Sequence, residues 1–167
     1  MINELKEILI ESLKKLYEKD ESLISRHAHE RSITFRFGIY FEELVKNSNF
    51  SHLNVDAEYN RNGEKYKFMP SELKRSKTYP DILLHQRETN NQNRLLLEFK
   101  TYWNNNSKAC EIDIKKLKYF TSQDEEYKYT LGAFIELERY TANVIYFING
   151  TQIESVEIPL LKDKLAN

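Results

Sequence analysis

The sequence predicts an α/β protein, a mixed β-sheet flanked by helices with an extra amphipathic helix at the N-terminus. Helical periodicity runs from Ile2 to about Lys46 in two segments and returns near residues 111–122. Short apolar runs bounded by turn formers lie between and after these segments. After the first helix, the order helix, strand, strand, strand, helix, strand, strand suits a sheet covered by helices.

Each element has its own justification. From Ile2 to about Tyr17, apolar residues recur at Ile2, Leu5, Leu9, Leu13 and Leu16 with charges between them. This helix packs either on the domain or on a second copy, as in a homodimer or larger complex. Residues 1–24 are therefore read as a helical extension and residues 25–167 as the main domain. The second helix runs from about His27 to Lys46, with Ser25 as its cap and a stripe of Ile33, Phe37, Tyr40, Phe41 and Leu44. Glu30 falls on that stripe, so it faces the core or a cleft, or else sits half-exposed at the helix end. A strand follows at 54–60, closed by Arg61-Asn62-Gly63. Residues 61–78 form a basic loop with no clear period, interrupted only by Phe68, Met69 and Leu73. Strands at 81–86 and 94–101 come next, then the polar stretch 103–107. The helix at 111–122 turns Ile114, Leu117 and Phe120 inward and Lys115, Lys116 and Lys118 largely outward. Strands at 129–137 and 143–148 join through the turn at 138–141, and the tail from Glu154 is open to either assignment.

Composition narrows the function. A chain of 167 residues, 40% hydrophobic and 31% charged, supports one folded domain with a proper core. The net charge of -1 does not single out a polyanionic partner. Its distribution is more informative: between Arg61 and Lys118 thirteen basic residues face seven acidic ones, a local +6 that leaves -7 elsewhere. That segment either attracts nucleic acid or carries ordinary solvated lysines. Cys110 is the only cysteine, so no intrachain disulfide forms. The acidic N-terminus is unlike a signal peptide and no run approaches a membrane span, so a cytoplasmic protein is expected. Four glycines without a phosphate-binding loop, and no Gly-x-Ser-x-Gly elbow, argue against NTP hydrolysis and serine acyl transfer.

The chemistry concentrates in Pro80-Asp81 and Glu98-Phe99-Lys100. In a strand, Leu96, Glu98 and Lys100 share one face, and Leu95, Leu97 and Phe99 share the other. A strand apolar on both faces is usually buried, and an ionised carboxylate there costs several kcal/mol or so unless compensated. A metal ion beside a lysine would compensate it; alternatively, Glu98 and Lys100 lie at a frayed, hydrated strand end. Asp81 and Glu98 are hard oxygen donors suited to Mg2+ or Mn2+. Lys100 can orient an attacking water and offset charge on a phosphoryl group. Among secondary candidates, Glu58 either contributes from the neighbouring strand or is simply exposed. Arg61, Lys77, Lys115 and Lys116 are candidates to grip phosphates, and Tyr102 and Trp103 either stack on bases or pack in the ordinary way. His27, His29, His52 and His85 share no metal-ligand spacing, and no zinc site is assigned.

These motifs on successive strands resemble the PD-(D/E)XK nuclease superfamily, whose restriction-endonuclease-like core of helix, three strands, helix and strand would cover about Ser25 to Leu137. His29-Glu30-Arg31-Ser32-Ile33, Val55 to Arg61 and Pro80 to His85 are similar to a group of small bacterial members. The long basic insertion before Pro80 is the departure from the pattern. The resemblance implies a Mg2+- or Mn2+-dependent nuclease, a DNA endonuclease first of all, that leaves 5′-phosphate and 3′-hydroxyl ends. Asp81, Glu98 and Glu30 would hold metal and Lys100 would assist the nucleophile. Restriction, phage defence or a mobile element would be its setting, with the N-terminal helix docking it in a larger system. The rival expectation is a non-cleaving module that binds nucleic acid or protein on the same fold.

Overall fold

The computed structural model of the protein describes residues 1–69, 76–104 and 106–161. Three helices and a mostly antiparallel six-stranded sheet make a mixed α/β architecture. The helices are α1 (Ile2–Ser25), α2 (Glu30–Val45) and α3 (Ser107–Thr121). The six-stranded sheet is formed by β1 (Asn54–Ala57), β6 (Ile82–His85), β7 (Leu95–Thr101), β8 (Leu131–Leu137), β9 (Thr141–Ile148) and β10 (Thr151–Pro159), in that spatial order. Two small ribbons stand apart, β2 (Arg61–Asn62) with β3 (Lys65–Tyr66), and β4 (Phe68–Met69) with β5 (Ser76–Lys77).

The alternation read in β7 divides the molecule into layers. Leu95, Leu97 and Phe99 join Ile82, Leu84 and the apolar stripes of α1 and α2 in one core. Leu96 joins Leu83 and the α3 residues Leu117 and Phe120 in a second core across the sheet. β7 is buried along its whole length, and its pairing with β8 is parallel while every other pair in the sheet is antiparallel. A parallel pair needs a crossover, and α3 supplies it.

Leu5, Leu9, Leu13 and Leu16 are wholly buried, so the stripe of α1 packs on the domain itself. The Tyr17 hydroxyl donates into the β8–β9 turn, at the carbonyls of Glu138 and Thr141. α1 runs past Tyr17 to Ser25, with a break at Asp20 (φ -129°). The Asp20 carboxylate accepts from Arg36 Nε at 2.8 Å, which ties the bend to α2. Ser25 thus ends α1, and the cap of α2 is His29, whose Nδ1 accepts from the Arg31 N–H at 3.2 Å. β1 stops at Ala57 because Glu58 adopts a left-handed backbone (φ 50°). α3 begins four residues earlier than the spacing suggests, at Ser107, because the Asn106 side chain accepts from the Lys108 N–H at 3.0 Å.

The open tail resolves into β10, paired with β9 across Asn149-Gly150, both with positive φ (49° and 73°). Asn-Gly is a strong hairpin-turn signal. β10 is almost wholly exposed, so no apolar alternation marks it, and its ladder to β9 holds it in place. The basic segment 61–78 is not a plain loop, since its described residues include both ribbons. Its Leu73, Lys74 and Arg75 lie outside the described residues, as do Asn105 of the polar stretch and residues 162–167 of the tail. Among the described residues, no helix is long and apolar enough to cross a membrane.

Two substitutions test this packing by chemical denaturation. Leu13→Ala should cost about 2–5 kcal/mol, as for a core leucine; no loss would remove α1 from the core. At Gly132 of β8 an added Cβ would lie 2.9 Å from Thr121 Cγ2 and 3.0 Å from Leu117 Cδ2, pressing the sheet off α3. Gly132→Ala should therefore lower stability by about 1–3 kcal/mol.

Candidate functional site

Register brings the carboxylates together. β6 and β7 pair with Ile82 opposite Leu97, which places Asp81 beside Glu98 at the mouth of the sheet. One Asp81 oxygen, Oδ2, accepts from the backbone N–H of Phe99 at 2.7 Å. Glu98 and Lys100 lie on the α3 face of β7, and α3 answers them with Asp113 and Lys116. The Lys116 Nζ lies 2.8 Å from Glu98 Oε2 and 3.1 Å from Asp113 Oδ1. The Lys100 Nζ lies 2.8 Å from the other Asp113 oxygen and 3.6 Å from Glu30 Oε1. Glu30 is the first residue of α2 and reaches the cluster from the opposite layer.

The four expected site residues Glu30, Asp81, Glu98 and Lys100 line one cleft of about 890 Å³ with Asp113 and Lys116. His27, Arg31, Glu58, Tyr79 and Trp103 help to form its walls. Glu98 and Lys100 are buried within the sheet rather than at a frayed end. Lys116, expected on the outer face of its helix, is buried and ion-paired. Its position three residues after Asp113 and four before Phe120 puts it on the inward stripe. Asp113 was missed as a site residue for the same reason: counting back four from Leu117 and seven from Phe120 reaches it.

The remaining candidates are dispersed. Arg61 and Lys77 lie over the Tyr66 ring, at 4.3 and 3.7 Å from its centroid, and do not line the cleft. Lys115 is exposed on α3 and does not line it either. Glu58 pairs with Arg31 at 2.9 Å on the rim. Trp103 stacks on His27 with centroids 4.7 Å apart, and the Tyr102 hydroxyl lies 2.8 Å from His27 Nε2. His85 and His52 are engaged elsewhere, with Asp56 at 3.0 Å and Gln92 at 2.9 Å.

Burial pushes the Asp81 carboxyl up to about 6, against the pull of the Phe99 N–H and of Lys116 and Lys100. Burial, and then the charge of Asp81, hold Glu98 well above the usual carboxylate range despite Lys116. Glu30 is raised by burial, with Lys100 opposing. Burial works against the charge of both lysines, yet their carboxylate partners keep Lys100 and Lys116 above the ordinary lysine value. Fully ionised, the four carboxylates carry -4 against +2 on the lysines, so the cluster lacks two positive charges.

That deficit and the donor set fit a divalent cation. Glu98 Oε1 and Glu30 Oε2 are buried with no hydrogen-bond partner, an arrangement that costs about 1–3 kcal/mol or more for each group. They are hard oxygens of the kind Mg2+ and Mn2+ prefer. Among the described residues, however, no group of three or more acidic, histidine or cysteine side chains is drawn together ready to hold a metal. Glu98 is turned instead toward Lys116, Asp113 toward both lysines, Glu30 toward Lys100 and Asp81 toward the Phe99 N–H.

The shift of Asp81 from its ordinary 3.8 to about 6 fixes a sign for the metal-free protein. Between those values the folded state keeps a proton that the unfolded chain has lost, so this group's contribution is full below about pH 4 and is lost as pH rises toward 6. Urea denaturation in chelator should show Asp81→Asn more stable than wild type at pH 7.5, by on the order of 1–2 kcal/mol, with the difference shrinking at pH 4. Equal stability at both pH values would contradict the burial of this charge. Comparison of the chain with protein-family models, with curated proteins and with solved structures finds no match in any of the three, so its function is argued from the cleft.

Proposed function

We propose that the protein is a metal-dependent nuclease that hydrolyses phosphodiester bonds in nucleic acid, DNA in the first instance. One observation carries this reading: Glu30, Asp81 and Glu98 line one cleft with Lys100, and Glu30 and Glu98 each leave a buried oxygen there without a hydrogen-bond partner. The order α2, β1, β6, β7, α3, β8 also accords with the restriction-endonuclease-like core implied by the resemblance to the PD-(D/E)XK superfamily.

In this reading Asp81 and Glu98 hold Mg2+ or Mn2+, with Glu30 supporting them from the start of α2. The cation, when bound, supplies Lewis acidity toward the phosphoryl group and makes hydroxide available near neutral pH. Lys100 stands among these acids with a charged ammonium, placed to orient the attacking water and offset charge gathering on the phosphoryl oxygens. Trp103 and His27 offer aromatic faces on the cleft wall, where an unstacked base can lie. Products would carry 5′-phosphate and 3′-hydroxyl ends. Placement in restriction, phage defence or a mobile element belongs to the same proposal.

A second reading, a module that grips nucleic acid or a protein without cutting, is favoured by the ion pairs that already engage the carboxylates. Supercoiled plasmid, linear duplex, single-stranded DNA and RNA, each incubated with Mg2+ or Mn2+, separate the two. Nicking of closed circles is expected, with the rate falling by roughly a hundredfold or more in Asp81→Ala and Lys100→Ala while circular dichroism stays unchanged. Undiminished cleavage in either variant would refute the assignment. Binding without cleavage under either metal would favour the module.

A further inference from the structure

We propose that Lys116 and Asp113, three residues apart on the inward face of α3, are positioning residues for the cation ligand Glu98. The Lys116 ammonium holds one Glu98 oxygen and leaves the other uncommitted, and Asp113 fixes both Lys116 and Lys100 with its two oxygens. This rests on the reading of the cleft as a metal site.

The geometry is specific. Glu98 Oε2 meets Lys116 at 2.8 Å while Oε1 is buried without a partner. The same division recurs in Glu30, whose Oε1 faces Lys100 at 3.6 Å while Oε2 has no partner, and one oxygen of Asp81 is committed to the Phe99 N–H. Glu98 and Asp81 are thus each hydrogen-bonded through one oxygen, and Glu30 is held by the longer ion pair alone. Asp113 is set apart from the three by having both oxygens engaged, one at 2.8 Å by Lys100 and one at 3.1 Å by Lys116. It does the work of a bracket between the two lysines, where Glu30, Asp81 and Glu98 retain capacity for a cation. Groups that anchor metal ligands from behind set the ligands' orientation, and their loss typically weakens metal binding by roughly 10- to 100-fold.

A competing effect has the opposite sign. Lys116 is itself a cation beside the proposed metal, and if it were only a stand-in for that metal, removing it would relieve repulsion and tighten binding. Calorimetric titration of the full chain with Mn2+ in the absence of nucleic acid decides between the two. Lys116→Met is expected to bind Mn2+ roughly 10- to 100-fold more weakly than wild type, and Lys116→Arg, which can still donate to Glu98, should recover much of the loss. Equal or tighter binding by Lys116→Met would overturn the positioning role while leaving the metal site intact. No Mn2+ binding by the folded wild type would instead remove the metal reading, and this inference with it. If Lys116→Met does not fold, Asp113→Asn carries the test. It should weaken Mn2+ binding, since it releases both lysines from their shared anchor, and undiminished affinity would overturn the inference.

Discussion

Glu98 sits in an inner strand of the sheet with 2% of its side chain exposed, and much of the remaining structure is arranged around that one carboxylate. A charge so placed loses its hydration, and a surface ion pair would not replace it. The response comes from one direction and further acids come from others. α3 delivers Lys116 to Glu98 and Asp113 to Lys116 across one face of the sheet, while antiparallel register brings Asp81 alongside and α2 brings Glu30 from the other layer, both adding negative charge to the cleft. The parallel pairing of β7 with β8 matters here because it requires a crossover, and that crossover is the helix that carries the counter-ions.

The compensation is incomplete in a way that a purely structural ion cluster would avoid. Buried salt bridges in stable cores tend to have their remaining lone pairs satisfied. Here two carboxylate oxygens are left without partners, and Asp81 and Glu98 are both pushed toward protonation. The same molecule shows that it can complete such a cluster elsewhere: at Asp56, burial is overcome by hydrogen bonds from Arg87 and His85, which hold that carboxyl far below the usual range. The cleft therefore stores unfavourable electrostatics at one location, as sites that bind or transform a ligand commonly do.

The scaffold accounts for how such a cluster is tolerated. α1 contributes a row of wholly buried leucines to the core shared by α2 and β7, so the helix read as an extension is built into the layer beneath the site. Its bend at Asp20 is bound to Arg36 of α2, and its Tyr17 reaches the turn after β8. These contacts hold the start of α2, and with it Glu30, in relation to the sheet. The ribbons formed by part of the net-basic stretch from Arg61 to Lys118 carry Arg61 and Lys77 on the Tyr66 ring rather than into the cleft, whereas Lys100 and Lys116 of the same stretch stand within it.

The sequence by itself determined what depends on neighbours along the chain. The stripes of α1 and α2 and the two faces of β7 follow from periods of 3.6 and 2, and residue type singles out Asp81, Glu98 and Lys100 as candidates. The Asn149-Gly150 turn carried a hairpin signal that went unread, because the exposed strand beyond it lacks the apolar alternation that would have drawn attention to it. Tertiary structure alone decided the rest. Whether Glu98 was frayed or buried, and whether Glu30 faced water or the cluster, depended on what packs over each of them. Lys116 reads as one more lysine on a basic helix until that helix is laid across β7. Only there does burial make its partner a carboxylate instead of solvent, because a charge removed from water must find its counter-charge among whatever the fold brings within a few ångströms.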